Sequence, residues 1–321
     1  MEFLRQFLNY SNICIQCHNN PDADTLASAL GLYCYFSDNG IETSIIYGGT
    51  GPIKKRNLKY MIEMCDIPVK YVKELPDTEL LLIVDGQYGQ GNVQRFEASE
   101  IAVIDHHMKV MIENDKTFIN NSYQSCSTII YELLKQEKYN ILDRENLCVA
   151  FLYGLYTDTA SYSDLYREND INMREELKGD YPVLERLKKS CLTVAELMVA
   201  GDALHNFYFD AERKYILIPA IHCEPAVLGI IGDMAIQVDS AKLSLAYADS
   251  DNGYQISIRS CDREYPANKV AELLCRDIGN GGGHIDKAGG KVFSDKIKKI
   301  YENMDITDVF MERMNTIIAG E

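Results

Sequence analysis

The chain has 321 residues, 46% of them hydrophobic and 25% charged, enough for two domains or one large one with a substantial core. Its net charge of −16 argues against broad binding to long nucleic acid, though not against a small phosphorylated ligand. No apolar run reaches the roughly 18–20 residues of a membrane span.

The start, Met1-Glu2-Phe3-Leu4-Arg5, shows no basic region leading into an apolar stretch, so no signal peptide is expected and a cytoplasmic location is. The ten cysteines are scattered. Cys14, Cys34, Cys148 and Cys275 lie in apolar segments and read as small buried hydrophobes in a reducing compartment. Cys14 and Cys17 form a C-x-x-C within an apparent strand, where residues three apart face opposite ways, and no second pair completes a zinc site.

In chain order, strands are predicted at Asn12–Cys17, Thr43–Tyr47, Val69–Val72, Leu80–Val84 and Ile101–Ile104. Helices are predicted at Thr25–Phe36 and Ile53–Cys65, then at Ser127–Gln136, Arg144–Tyr156 and Met173–Lys189. This βαβ rhythm predicts an α/β fold with a doubly wound, mostly parallel sheet over residues 1–190. A connecting helix is expected within 191–206. A smaller α/β domain with a mixed sheet is expected over 207–321: a strand at Tyr215–Ile221, a helix at Ala226–Ile236, then strands Lys242–Tyr247 and Tyr254–Arg259. The last two flank Asp249-Ser250-Asp251-Asn252-Gly253, a hairpin turn signal.

Chemistry gathers where the strands of the first domain end. His18-Asn19-Asn20-Pro21-Asp22-Ala23-Asp24 follows the first strand, Asp85 caps the Leu80–Val84 run, and Asp105-His106-His107 caps Ile101–Ile104. Asp158 follows the apolar helix Val149–Tyr156. Ligands in open parallel sheets bind beyond the carboxyl ends of strands. Imidazole with carboxylate is the donor set of a borderline-to-hard divalent cation.

Each piece has a plainer explanation. Asp24 could cap a helix, Asp85-Gly86 could be a turn, and His106 and His107 could be loop residues. Independent turns need not recruit histidine and aspartate at successive strand ends, so an assembled metal site is favoured. In the second domain, Gly281-Gly282-Gly283 before His284 reads as a backbone amide cradle rather than a mere loop. Arg259 suits bidentate binding of a phosphate or carboxylate. No G-x-S-x-G elbow and no P-loop is present in the sequence.

In these motifs the chain resembles the DHH phosphoesterase superfamily, in the branch with a C-terminal DHH-associated domain. The matching residues are His18-x-x-Pro21-Asp22-x-Asp24, Asp85, Asp105-His106-His107, Thr157-Asp158-Thr159, Arg259 and Gly281-Gly282-Gly283-His284, in family order along nearly the whole chain. In architecture it is most similar to the stand-alone nano-RNase and pAp-phosphatase proteins, and it resembles the catalytic part of cyclic di-AMP phosphodiesterases. RecJ-type exonucleases and family II pyrophosphatases belong to the same superfamily; the short second domain disfavours the exonuclease.

The resemblance implies two divalent cations, manganese in the family. His18 and Asp22 would hold the first, Asp24, His106 and Asp158 the second, with Asp85 bridging. His107 would donate to a phosphoryl oxygen, and Asp105 would orient the histidines. Arg259, Gly281, Gly282, Gly283 and His284 would bind substrate phosphate across a cleft between the domains. The expected substrates are short oligonucleotides, linear dinucleotides such as pApA, or pAp. Alternatives are polyphosphate or pyrophosphate, a cyclic dinucleotide, or nucleotide binding without turnover. No membrane partner is expected, and a homodimer stays open.

The chain departs from the nano-RNase pattern at Ala23 and at Thr159-Ala160-Ser161-Tyr162-Ser163. Neither change touches a proposed ligand.

Overall fold

The computed structural model describes residues 3–90, 92–189, 192–302 and 304–320. The chain forms two compact units, Met1–Cys191 and Leu192–Glu321. The expected boundary at 190–191, and the first two residues, lie outside the described residues.

The first unit runs β1 (Asn12–Cys17), α1 (Ala23–Asp38), β2 (Glu42–Tyr47), α2 (Arg56–Met64), β3 (Val69–Tyr71), β4 (Leu80–Val84), β5 (Ile101–Asp105) and β6 (Thr117–Ile119). Helices α3 (Cys126–Gln136), α4 (Glu145–Asp158), α5 (Glu168–Glu176) and α6 (Pro182–Lys188) follow. The sheet order is β3-β2-β1-β4-β5-β6, with every pairing parallel. Every residue of β4 is buried, as an uninterrupted Leu-Leu-Leu-Ile-Val run demands of a strand covered on both faces.

The chain winds outward from β1 through β2 to β3, then returns to place β4 on the other side of β1. That reversal opens a crevice at the carboxyl ends of β1 and β4, the place where such sheets bind ligands. Helix α1 is buried around most of its circumference and lies against α4. Gly31 permits this approach, since a Cβ there would stand 2.7 Å from the Phe151 ring.

The helix expected over Met173–Lys189 is two helices. Pro182 opens α6 without a backbone N–H and disfavours helical geometry at Tyr181, so the helix that ends at Glu176 must restart.

The second unit runs α7 (Val194–His205), β7 (Tyr208–Asp210), β8 (Tyr215–Ala220), α8 (Pro225–Ala235), β9 (Leu243–Ser250), β10 (Gly253–Ser260), α9 (Ala267–Cys275), β11 (Gly279–Gly283), β12 (Lys287–Phe293), α10 (Ser294–Ile300) and α11 (Ile306–Ala319). Its sheet, β11-β12-β10-β9-β8-β7, is mixed: β8 and β9 pair parallel and the rest antiparallel. Helix α7 begins with a Thr193–Glu196 capping box and buries Ala200 and Ala203 against α8 and β8, so it packs within the second unit. Among the described residues no helix is long and apolar enough to cross a membrane.

Candidate metal centre

The β1–α1 connection presents two of the aspartates in different ways. Asp22 is the N-cap of α1, its Oδ1 accepting from the backbone N–H groups of Asp24 and Thr25 at 3.1 Å each. Asp24, in the first turn of α1, is fully buried. Its two oxygens accept from the N–H of Cys126 at 2.6 Å and of Ser127 at 3.0 Å, in the first turn of α3. Gly154 of α4 makes room for it: a Cβ there would lie 3.1 Å from Asp24 Oδ1 and 3.0 Å from Ser127 Oγ.

Asp85 follows β4 with φ +57°, a left-handed conformation that costs a non-glycine residue and that recurs at functional positions. His18 Nδ1 lies 2.8 Å from the Asn19 carbonyl, and its Nε2 stands 3.4 Å from Asp22 Oδ2 and 3.5 Å from Asp85 Oδ2. His106 Nε2 lies 3.3 Å from Asp85 Oδ1 and 3.6 Å from Asp158 Oδ2, where Asp158 is the last residue of α4. His107 Nδ1 donates to Asp105 Oδ1 at 2.7 Å and lies 3.8 Å from Asp85 Oδ1.

Three overlapping clusters result: His18, Asp22 and Asp85; Asp24, His106 and Asp158; and Asp85, His106 and His107. Within each, the ligand atoms lie within 4.8 Å of one another. Asp85 belongs to two of them. Its Oδ1 and the Nε2 of His106 are buried without a hydrogen-bond partner, a costly arrangement unless a cation completes it. Imidazole nitrogen with carboxylate oxygen fits a divalent ion, so the residues present suit the group.

The electrostatics carry the same signature. Burial, then the Asp85 charge, pushes the Asp24 carboxyl up to about 7. Burial and the neighbouring Asp24, Asp22 and Asp85 push Asp158 well above the ordinary carboxyl range. Burial works to lower the His106 pKa, but Asp85, Asp24 and Asp158 raise it to about 10. The same contest raises His18 through Asp22 and Asp85. Burial works against ionised Asp22, yet His18 holds its carboxyl below the usual range. The pocket binds protons tightly because its carboxylates crowd together, and a cation would displace them.

One residue of the site was not foreseen. Gln87, buried two positions after Asp85, donates to Asp105 Oδ2 at 2.7 Å and to the Met108 carbonyl at 3.0 Å. Its Oε1 accepts from the N–H of Val110 at 2.9 Å and of Met111 at 3.2 Å. It thus ties the Asp105–His107 pair to the loop that follows. The only local signal is a glutamine soon after a strand end.

In the second unit, Arg259 is committed inside its own fold. Its guanidinium donates to Asp233, to Ser257 Oγ at 2.9 Å and to the carbonyls of Ile258 and Gly229 at 3.1 Å each. The tri-glycine is not a free loop but part of edge strand β11, with Gly281 opposite Gly290 and Gly282 opposite Gly289. A Cβ on Gly281 would fall 2.5 Å from the Ala271 carbonyl, so close packing against α9 excludes a side chain. Gly282 faces open space. His284 follows the strand, its N–H donating to the Lys287 carbonyl at 2.7 Å.

Comparisons with known proteins agree with this geometry. Residues 12–155 match the DHH family, N-terminal domain. An uncharacterized protein of Methanocaldococcus jannaschii is 23% identical over 296 residues, covering 87% of this chain and 58% of that protein. A probable manganese-dependent inorganic pyrophosphatase of Enterococcus faecalis is 26% identical over 136 residues, 41% of this chain and 43% of that one. The chain therefore spans about half the length of these two relatives. Among solved structures, an exopolyphosphatase-related protein from Bacteroides fragilis shares the fold, with TM-score 0.75 and 18% identity, covering 99% of this chain and 95% of its own. The aspartates and histidines that converge at the β1 and β4 strand ends sit within, or three residues beyond, the matched segment, and residues 12–155 of this chain form a DHH-family N-terminal domain.

Proposed function

We propose that the protein is a metal-dependent phosphoester hydrolase that cleaves a small nucleotide: a short oligonucleotide, a linear dinucleotide of the pApA type, or pAp. The reading is carried by Asp85, one carboxylate shared between two ligand clusters and left with an unpartnered buried oxygen. His18 and Asp22 would hold one divalent ion, and Asp24, His106 and Asp158 a second, with Asp85 between them. Manganese is the metal we assign, in keeping with the similarity to a manganese-dependent pyrophosphatase. When bound, the ions supply an activated water and neutralise charge on the phosphoryl group.

The chain's own groups set up the rest. Asp105 fixes His107 with its Nδ1 proton directed inward, which leaves Nε2 free for a phosphoryl oxygen. Asp24 is clamped by two backbone N–H groups, so its oxygens are placed before a ligand arrives. Arg259, Gly281, Gly282, Gly283 and His284 we assign to substrate phosphate binding on the family resemblance; Gly282, Gly283 and His284 are exposed.

A second reading, hydrolysis of pyrophosphate or polyphosphate, is favoured by the pyrophosphatase similarity. Product assays on pApA, pAp, cyclic di-AMP, pyrophosphate and polyphosphate, with manganese and then with a chelator, separate the two. Turnover of pApA or pAp that stops with the chelator supports the nucleotide reading. Turnover of pyrophosphate or polyphosphate alone overturns it. A folded His106→Ala protein that keeps full activity would dismiss the assigned centre.

A further inference from the structure

The three ligands proposed for the second ion come from three elements: Asp24 from α1, His106 from just beyond β5, and Asp158 from the last residue of α4. One short segment between β6 and α3 touches two of them. His106 Nδ1 lies 3.4 Å from the Tyr123 carbonyl, and the N–H groups of Cys126 and Ser127 hold Asp24. Gln124 stands between these contacts. Its own N–H donates at 3.0 Å to Asp170 Oδ2, a buried carboxylate in the first turn of α5. The segment is therefore fastened to α5 through its backbone.

The third ligand, Asp158, ends its helix, so its placement depends on the turn that follows. Ala160, Ser161 and Tyr162 have φ of +47°, +63° and +68°. Three successive left-handed residues, none of them glycine, form a strained run that needs outside support. On the near side, the Ser161 N–H donates to the Tyr156 carbonyl and the Tyr162 hydroxyl to the Leu152 carbonyl, each at 2.8 Å. The far side is held by the Gln124 carboxamide. Its Oε1 accepts from the N–H groups of Tyr166 at 2.8 Å and Arg167 at 2.9 Å, and its Nε2 donates to the Asp164 carbonyl at 2.6 Å. These bonds cross 40 to 43 positions of sequence, so they lock the turn to the segment before α3 and not merely to itself.

We propose that Gln124 is a positioning residue for the Asp24–His106–Asp158 cluster. It ties the turn behind Asp158 to the same segment that clamps Asp24 and meets His106, and so sets the three ligands relative to one another before an ion arrives. Among the described residues it makes no hydrogen bond to His18, Asp22 or Asp85. The consequence is selective: loss of Gln124 weakens one ion and spares the other, which a role confined to general stability would not do. Gln87 acts elsewhere, on Asp105 and the loop after His107. This deepens the metal-centre reading and rests on it for the two ligand sets.

The test uses Gln124→Met, which keeps the length of the side chain and removes its hydrogen bonds. In the metal-free protein, chymotrypsin cleavage after Tyr162 or Tyr166 should quicken by about five-fold, the change in population that one lost hydrogen bond allows. Manganese affinity, read from the free-ion EPR signal, is then measured in two backgrounds. On His18→Ala, which leaves Asp24, His106 and Asp158 in place, Gln124→Met should weaken binding by about ten-fold. On Asp158→Ala, which leaves His18, Asp22 and Asp85 in place, it should leave binding unchanged. Unchanged affinity on the His18→Ala background, or an equal loss on both, overturns the proposal, and so does unchanged cleavage of the turn. A wild-type protein that binds no manganese, with cleavage still quickened in the variant, would reject the metal centre and keep Gln124 as the anchor of the turn.

Discussion

Asp85 Oδ1 and His106 Nε2 stand 3.3 Å apart, both buried and neither in a hydrogen bond. Each comes from the residue just beyond a buried parallel strand, β4 for Asp85 and β5 for His106. The sheet holds them in place whether or not they are satisfied, and that preorganisation makes them a candidate pair of ligands.

Asp85→Asn is the cleanest removal of the shared carboxylate, because asparagine tolerates the left-handed backbone found there. Activity should fall by more than about a hundred-fold. Manganese stoichiometry, measured by atomic absorption after dialysis, should fall as well. Unchanged metal content would remove Asp85 from the centre.

Stability without metal should fall as pH rises. Asp24 is raised to about 7 by burial and Asp85, and His106 to about 10 by its carboxylate neighbours against burial. Both bind protons more tightly in the folded state. Asp24 therefore withdraws stability between about pH 4 and 7, and the His106 contribution, complete below about 6.5, is lost towards 10. Asp22 and Asp105 shift downwards and contribute above their ordinary range, so they add little change there. Thermal melts with chelator should give a lower melting temperature near pH 8 than near pH 5.5. Saturating manganese should flatten or reverse that order, because the ion replaces the protons. A metal-free protein more stable at the higher pH would contradict this account of the pocket.

Gln87→Leu removes two donors and an acceptor from a fully enclosed site. Each group left unpartnered costs about 1–3 kcal/mol, so a clear drop in denaturation midpoint is expected. The kcat should fall while metal content holds, because Gln87 touches Asp105 and the loop after His107 but no proposed ligand. Gln87→Glu, which keeps the acceptor but faces Asp105 with a second carboxylate, should not restore kcat. Wild-type kcat in a folded Gln87→Leu protein would deny it a positioning role.

Gly154→Ala places a methyl 3.0 Å from Ser127 Oγ and 3.1 Å from Asp24 Oδ1, tighter than an ordinary contact. Overpacking of this kind costs about 1–3 kcal/mol. Here it should also weaken manganese binding, since Asp24 is the group displaced. Isothermal titration that shows wild-type affinity in this variant would mean α4 yields without disturbing Asp24.

Much of this was legible in the order of residues. The bounds of β4 coincide with its apolar run, because a strand buried on both faces stops where polar residues begin, and β1 spans the predicted Asn12–Cys17. The same rule marked His18, Asp22, Asp85 and the Asp105-His106-His107 run as strand-end groups. Several elements escaped it. β6 and β7 have three residues each, and β11 is mostly glycine, so none shows a hydrophobic period.

By itself, then, the sequence determined the parallel sheet of the first unit, its strand ends and the kinds of side chain they carry, because burial patterns are local. Tertiary structure alone decided that Asp24 is clamped by Cys126 and Ser127, that Gln87 braces Asp105, that the tri-glycine is an edge strand, and that Asn57 and Tyr60 of α2 meet Tyr153 of α4 and Arg186 of α6. Asp24 and Cys126 lie 102 positions apart, and no periodicity within either segment records the other. Such contacts exist only once strand order and helix packing have brought distant segments to the same edge of the sheet.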